Sequence, residues 1–249
     1  MTKEIPILMY HKFIASTNSK NRIKTFVTSR QFEWQLRILK FLNYRTITFK
    51  DLQNISKSDK KKNKYIILTV DDGYKDNYDI MFPLLKKYNM KAVIYLVSGC
   101  NYNKWDVEKY GDKRLELLSC NEVFEMIESG LIEFGGHTVN HCDFNTCSLE
   151  EAKKEIFHNK MDLEKKYKIN LISFAYPYGH LNENVKNIVK ESGYKFAVST
   201  DTGSGIIEDD LYEIRRTAID KTSFFNFLRK ISPRYSTYKG KKWLKGMRK

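Results

Sequence analysis

Four cysteines are spread through the 249 residues, and no two of them form a CxxC pair. A chain of this length builds a core without disulfide staples, so Cys100, Cys120, Cys142 and Cys147 are expected as reduced thiols. No apolar run approaches the roughly 20 residues of a membrane span. The opening stretch, MTKEIPILMY, is too short in apolar residues for a signal peptide and offers no cleavage site. The default expectation is a cytoplasmic protein or one peripheral to a membrane. There is no internal sequence repeat. Histidine is scarce at five residues, so where those five fall is informative.

Acid is also in deficit. Asp plus Glu number 30 against 44 Lys plus Arg, a formal charge of +14. Such a balance points to an anionic neighbourhood, whether nucleic acid, acidic lipid or acidic cell-wall polymer, without choosing among them. Much of the excess is local. Residues 57–64 (KSDKKKNK) read as a basic loop, and residues 239–249 carry six basic residues and no acid. Solvated surface is the simpler reading of both. The tail also holds Trp243, Leu244 and Met247, which suits an anionic membrane or cell-wall surface. No nucleic-acid-binding motif accompanies the charge, so nucleic acid is not expected as a partner.

Aromatic residues are plentiful, with 16 Tyr and 15 Phe. They favour a packed globular protein and a surface able to stack on sugar rings. The length suits one large domain, expected over residues 1–235 with 236–249 as a basic tail.

Apolar runs suited to strands occur at Ile5–Tyr10, Thr46–Phe49, Tyr65–Val70, Ala92–Val97, Leu131–Phe134, Leu171–Ala175, Tyr194–Ser199 and Tyr212–Arg216. Between them lie helical patterns. Thr28-Ser29-Arg30-Gln31, Ser119-Cys120-Asn121-Glu122 and Ser148-Leu149-Glu150-Glu151 resemble capping boxes. Further helices are expected over 78–88, 183–191 and 224–231, and residues 99–114 read as a long loop. Strands alternating with helices imply a mainly parallel sheet with right-handed crossovers. The fold class is α/β, a distorted or incomplete (β/α) barrel, with a doubly wound open sheet as the alternative.

Residues 65–70 form an unbroken β-rich run that ends in Asp71-Asp72-Gly73. Such a run marks a strand buried on both faces. Two carboxylates at its end are costly unless bound or used as a helix N-cap. His11, His137 and Tyr176-Pro177-Tyr178-Gly179 also follow strand ends, and in a (β/α) barrel those ends converge on the face where active sites form. His137 and His141, four apart, would share one side of a helical turn. With one carboxylate they make a two-His, one-Asp set that leaves coordination positions open.

These segments resemble the motifs of the polysaccharide deacetylase family, the NodB homology domain of carbohydrate esterase family four. Thr69-Val70-Asp71-Asp72-Gly73 is similar to its first motif, TFDDG, with Val for Phe. His137-Thr138-Val139-Asn140-His141 is similar to its second, H(S/T)xxH. The resemblance covers residues 5–231. It implies a distorted (β/α) barrel, Asp71 as general base, and Asp72, His137 and His141 as ligands of a divalent metal. Zinc is the first choice, with cobalt or nickel as alternatives. The third motif, RxPY, is kept as Tyr176-Pro177-Tyr178 without its Arg, for which Arg215 or Arg216 could substitute. The C-terminal LxH that carries the catalytic acid is absent. The opening Pro6-Ile7-Leu8-Met9-Tyr10-His11 resembles instead the branch acting on poly-N-acetylglucosamine, where His11 would be the acid.

The expected activity is hydrolysis of N-acetyl groups from an N-acetylglucosamine-containing glycan. The Tyr178 backbone N–H would face the oxyanion, Tyr176, Pro177 and Tyr178 would line the substrate, and Asp201 is a candidate to hold His11. The alternative is a catalytically silent glycan- or surface-binding module on the same barrel.

Overall fold

The computed structural model describes residues 4–16 and 25–247. In chain order the elements are β1 (Ile7–Tyr10), β2 (Lys12–Ile14), β3 (Phe26–Thr28), α1 (Ser29–Phe41), β4 (Tyr44–Thr46), α2 (Phe49–Leu52), α3 (Lys57–Lys62) and β5 (Lys64–Val70). A π-helical turn, Asn77–Met81, leads into α4 (Phe82–Tyr88), followed by β6 (Ala92–Leu96), α5 (Lys104–Tyr110), α6 (Cys120–Glu128), β7 (Ile132–Gly136), α7 (Leu149–Tyr167) and β8 (Ser173–Ala175). Then come α8 (Glu183–Glu191), β9 (Phe196–Val198), β10 (Thr217–Ala218), α9 (Phe224–Lys230) and α10 (Pro233–Met247).

The main sheet runs β10-β1-β5-β6-β7-β8-β9, with β4 pairing the start of β5, and every pair is parallel. The sheet curls until residues 214–218 join its edges. Ile214 bridges Val198 of β9, and Thr217–Ala218 pairs Leu8–Met9 of β1. The result is the distorted (β/α) barrel expected; a doubly wound open sheet would leave those edges apart.

The apolar run of β5 is explained by its two faces. Ile66, Leu68 and Val70 pack outward against the helices, while Ile67 joins a separate interior cluster with Val93, Tyr95 and Phe196. Each helix contributes an apolar stripe to the outer layer: Phe32, Leu36 and Leu39 from α1, Phe82 and Leu85 from α4, Ala152, Ile156 and Leu163 from α7. Each of these Phe, Leu and Ile side chains stabilises the fold by about 1.5–3 kcal/mol before entropy is counted. All three capping boxes form, at Thr28/Gln31, Ser119/Glu122 and Ser148/Glu151.

Four expectations are corrected. Thr46–Phe49 is not one strand: β4 ends at Thr46, and Thr48 caps α2 through its own capping box with Asp51. The basic loop contains helix α3, started by Ser56, whose hydroxyl accepts from the Asp59 N–H. The aperiodic stretch 99–114 contains α5, closed by Gly111 in the left-handed conformation. Tyr212–Arg216 makes only the single bridge at Ile214, and the ladder proper is the two-residue β10.

The expected boundary between residues 235 and 236 falls inside α10; residues 248–249 of the expected tail lie outside the described residues. Ser236 and Gly240 are buried against the loop at Ser204-Gly205, and a Cβ on Gly240 would sit 1.6 Å from the Ser204 carbonyl oxygen. A Cβ on Gly246 would meet nothing within 4 Å. Gly240→Ala should therefore lower the unfolding free energy in urea titration by about 1–3 kcal/mol through overpacking. Gly246→Ala should be neutral or stabilising by at most about 1 kcal/mol. Equal responses from the two variants would contradict the docked position of α10.

Candidate active site

Side-chain alternation along β5 points Ile67 and Thr69 into the barrel, and Asp71 continues that parity past the strand end. Asp71 is buried, and both its oxygens accept from one guanidinium: Arg216 Nη1 donates to Oδ1 at 2.5 Å and Nη2 to Oδ2 at 2.7 Å. Arg216 is itself fully buried, donates from Nη1 to Thr69 Oγ1 and from Nε to the Ser199 carbonyl, and lies over the Tyr95 ring at 5.6 Å. Of the two arginines named as substitutes for the missing third-motif Arg, it is Arg216 that meets Asp71. Arg215 turns away, its Nε donating to the Gly203 carbonyl. Burial alone would push the Asp71 carboxyl up. The Arg216 charge and its hydrogen bonds outweigh that and hold it below its ordinary value.

Asp72 turns the other way because its backbone is left-handed, with φ 77°, followed by Gly73 at φ 71°. Neither aspartate is a helix N-cap; the next helical turn begins at Asn77 without a side-chain cap. Asp72 Oδ1 lies 3.4 Å from His137 Nε2 and 3.3 Å from His141 Nε2. All three residues are buried, and their three ligand atoms lie within 4.8 Å of one another. Asp72 Oδ1 has no hydrogen-bond partner among the described residues. These separations are too long for good hydrogen bonds but match ligand atoms about 2.0–2.1 Å from one tetrahedral ion, which stand about 3.3–3.4 Å apart. The residues therefore fit a divalent metal. His137 Nδ1–H donates to the Ala175 carbonyl at 2.7 Å, which turns Nε2 toward Asp72. Burial pushes the His141 imidazole down, favouring the neutral, ligating form. Burial would also push the Asp72 carboxyl up, yet the two facing imidazoles hold it well below the usual carboxylate range.

The expected helical turn through His137–His141 is not there. The segment is irregular, with Thr138 at φ 65° and His141 at φ 57°. Of eight non-glycine residues in the left-handed region among those described, four (Asp72, Thr138, His141 and Tyr178) belong to this site. Each costs about 1–3 kcal/mol, and such strain persists where the surroundings impose it.

Part of the imposing is done by Asn159 of α7, which is fully buried. Its Nδ2 donates to the carbonyls of Leu96 and Thr138, and its Oδ1 accepts from the His137 N–H. The sequence reading missed this residue. Its signal was a polar side chain three residues after Ile156 and four before Leu163, on the inward stripe of α7. Trp105 of α5 was missed as well. It stacks on the His141 ring at 4.5 Å and 18°, and nothing in an aperiodic stretch marked it out.

His11 stands at the mouth, a quarter exposed, with Nε2 3.8 Å from Asp71 Oδ2. The Asn77 side chain in the π-helical turn donates to the His11 carbonyl at 3.0 Å. Asp201 is exposed, its charge acts on Arg215, and it makes no ion pair with His11 among the described residues. Tyr178 packs edge-on against His141 at 4.6 Å, with Lys109 Nζ over its ring at 4.6 Å. Tyr176 does not line the site. It is fully buried in the outer core, and its hydroxyl donates to the Tyr212 carbonyl at 2.7 Å. Pro177 is buried under the turn. Tyr178 is thus the only one of the three that is not fully buried. His180, whose side chain is partly exposed, pairs with Asp143 at 2.6 Å beside Tyr178.

A mainly parallel (β/α) barrel with an arginine-paired buried carboxylate beside a two-His, one-Asp set that fits a metal, at its C-terminal face, is the arrangement of a metal-dependent hydrolase. Sequence comparison agrees, since the polysaccharide deacetylase family profile matches residues 58–197, more than half the chain. The protein belongs to the polysaccharide deacetylase family. It is 29% identical over 217 residues to YxkH of Bacillus subtilis (strain 168), a polysaccharide deacetylase by name, covering 87% of this chain and 71% of that one. It is 27% identical over 221 residues to the poly-beta-1,6-N-acetyl-D-glucosamine N-deacetylase of Staphylococcus epidermidis, covering 85% and 74%. Among solved structures, the Streptococcus pyogenes deacetylase PplD in complex with acetate superposes with a TM-score of 0.79 at 28% identity, over 94% of this chain and all of that one.

The metal set predicts a titration. Calorimetry with zinc should give one equivalent bound by the wild type and none by Asp72→Ala or His137→Ala. Asn159→Ala should keep the ligands yet bind zinc more weakly and lose about 1–3 kcal/mol of stability, because three side-chain hydrogen bonds are lost while the His137–Leu96 and Ser98–Thr138 backbone bonds remain. Unchanged zinc affinity in that variant would show that the loop holds its own shape.

Proposed function

We propose that the protein hydrolyses the N-acetyl groups of an N-acetylglucosamine-containing glycan, using a divalent metal, with zinc the first choice and cobalt or nickel as alternatives. The reading is carried by one observation: Asp71, kept ionised by the Arg216 fork, lies next in sequence to a ligand set of which it is not itself part. The poly-N-acetylglucosamine deacetylase name of the staphylococcal relative and the acetate in the Streptococcus pyogenes structure support the substrate class. Aromatic surface at the mouth, from the exposed Tyr110 and the half-buried Tyr178, suits a sugar face.

A metal held by Asp72, His137 and His141 would supply an acidified water and a polarised acetyl carbonyl. The protein's own residues do the rest. Asp71 accepts the water's proton on a lone pair that Arg216 leaves free, since an ionised carboxylate offers about four acceptor sites and the fork uses two. The backbone N–H of Tyr178, presented by the left-handed turn, donates to the developing oxyanion. His11 Nε2, open to the mouth, gives a proton to the departing amine nitrogen. Acetate and a free amino sugar leave. Nothing among the described residues favours the alternative of a catalytically silent module.

The test is acetate release from N-acetylglucosamine oligomers after metal removal and re-supply. Activity should vanish with chelator and return with zinc, cobalt or nickel. Asp71→Asn should bind metal and lose about 10²–10⁴-fold in turnover, and His11→Ala should lose rate with metal retained. A fully active His11→Ala would exclude that histidine as the acid.

The Arg216 fork adds a pH prediction. A carboxylate held below its ordinary value stays ionised, and active as a base, down to lower pH. Arg216→Lys keeps a charge but not the fork, so Asp71 should titrate higher and the acid limb of kcat/KM should move to higher pH. An unmoved limb would mean that Asp71 ionisation does not set it.

A further inference from the structure

The catalytic groups occupy one end of the barrel; the unpaired positive charge occupies the other. Lys64 opens β5 and Asp71 follows its end, which separates them by about 23 Å of extended strand. Around Lys64 lies an open groove of about 580 Å³, lined by Lys40, Arg45, Lys62 and Lys64 with Tyr44 and Tyr88, and no Asp or Glu takes part in its wall. A second groove, about 380 Å³, runs between α9 and α10. Arg229, Arg234, Lys239 and Lys242 line it with Tyr235 and Tyr238, again without an acid.

The two grooves meet at Tyr44. Its ring lines the first, and its hydroxyl donates to the Ile231 carbonyl, next to Ser232 in the wall of the second. The recess between them contains Glu4, whose carboxylate accepts from the Ile207 N–H.

Lysines with close carboxylates include Lys91 with Asp51 and Lys186 with Asp210; Glu33, which accepts from the hydroxyl of Tyr88 in the first groove, is already paired with Lys87. Among the described residues, none of the eight groove cations has a carboxylate within ion-pair distance. Several lean on tyrosine rings instead: Lys40 over Tyr88, Lys64 over Tyr44, and Arg229 and Lys239 over Tyr235. A groove that alternates cations with aromatic faces is shaped for a chain carrying both anionic groups and flat apolar ring faces. The sequence pointed the C-terminal cations toward an anionic surface, and their helix forms one wall of this arrangement.

We propose that this face of the protein binds an extended anionic polysaccharide along the two grooves. Its acid groups would pair with the eight cations and its sugar rings would pack on the tyrosines, leaving the catalytic mouth at the opposite end free. Concavity favours a chain over a bilayer, because a flat surface would touch the groove rims and not the tyrosines within. The deacetylated product cannot be the occupant, since its ammonium groups would be repelled. The inference rests on charge and shape and does not depend on the deacetylase reading.

The probes are polygalacturonate, neutral dextran, oligo-dT and phosphatidylglycerol vesicles, each titrated into the whole protein at about 0.15 M salt. Polygalacturonate should bind, weaken as salt rises, and bind more tightly than oligo-dT or the vesicles, while dextran should not bind. Lys40→Glu/Arg45→Glu/Lys62→Glu and, separately, Lys239→Glu/Lys242→Glu should each weaken polygalacturonate binding by about tenfold or more. Both should release acetate from short soluble oligomers at the wild-type rate. Tighter binding of oligo-dT or vesicles, no binding of polygalacturonate, or wild-type affinity in both charge-reversed variants would each overturn the proposal. Loss of acetate release with binding intact would bear on the deacetylase reading alone.

Discussion

The structure depends on how the barrel carries two adjacent buried carboxylates at the end of one strand. Side by side and uncompensated, they would repel each other and pay the full cost of desolvation. The protein separates them by backbone geometry. Asp71 continues the inward parity of β5 and meets a fixed arginine, while Asp72 is swung by a left-handed backbone toward two imidazoles. One acid is compensated by a permanent charge and the other by a site for an exchangeable one. Removing one partner of a buried pair of the first kind costs about 3–5 kcal/mol, because the remaining charge stays buried.

That division accounts for much of the surrounding architecture. The irregular 137–141 segment, the Asn159 contacts, the Ala175 carbonyl that fixes the His137 tautomer and the Trp105 stack on His141 all hold the exchangeable side rigid. The π-helical turn does the same for the mouth by tying Asn77 to the His11 carbonyl, and local widening of a helix often marks such places. The left-handed residues gathered here carry strain that the barrel's packed layers can bear.

The parts legible in the sequence were those written in local patterns. The two-faced burial of β5 showed as an unbroken apolar run, the capping boxes as short motifs, and the site as polar residues following strand ends. The parts that were not legible depend on distance or on backbone. Arg216 reaches Asp71 across 145 residues, from a segment whose pairing is one bridge and two ladder residues. Choosing it over Arg215 required knowing which of two neighbouring side chains faces inward. A spacing of four between histidines is the same in a helix and in a strained loop, so His137 and His141 could be paired but not their backbone. Tyr176 was drawn into the site by its motif, although strand alternation alone would set Tyr176 and Tyr178 on one face and only the left-handed turn at Tyr178 parts them, leaving Tyr176 in the core.

The closing segment also sets an order on the making of the molecule. Asp72, His137 and His141 all emerge in the first 141 residues of the chain, whereas Arg216 arrives only when residues 214–218 seal the barrel. During synthesis, then, the Asp72, His137 and His141 half of the centre can come together before Asp71 has its counter-charge. A nascent or C-terminally clipped chain would present Asp72, His137 and His141 yet leave Asp71 without its Arg216 counter-charge, so that the centre is completed only by the final stitch of the barrel.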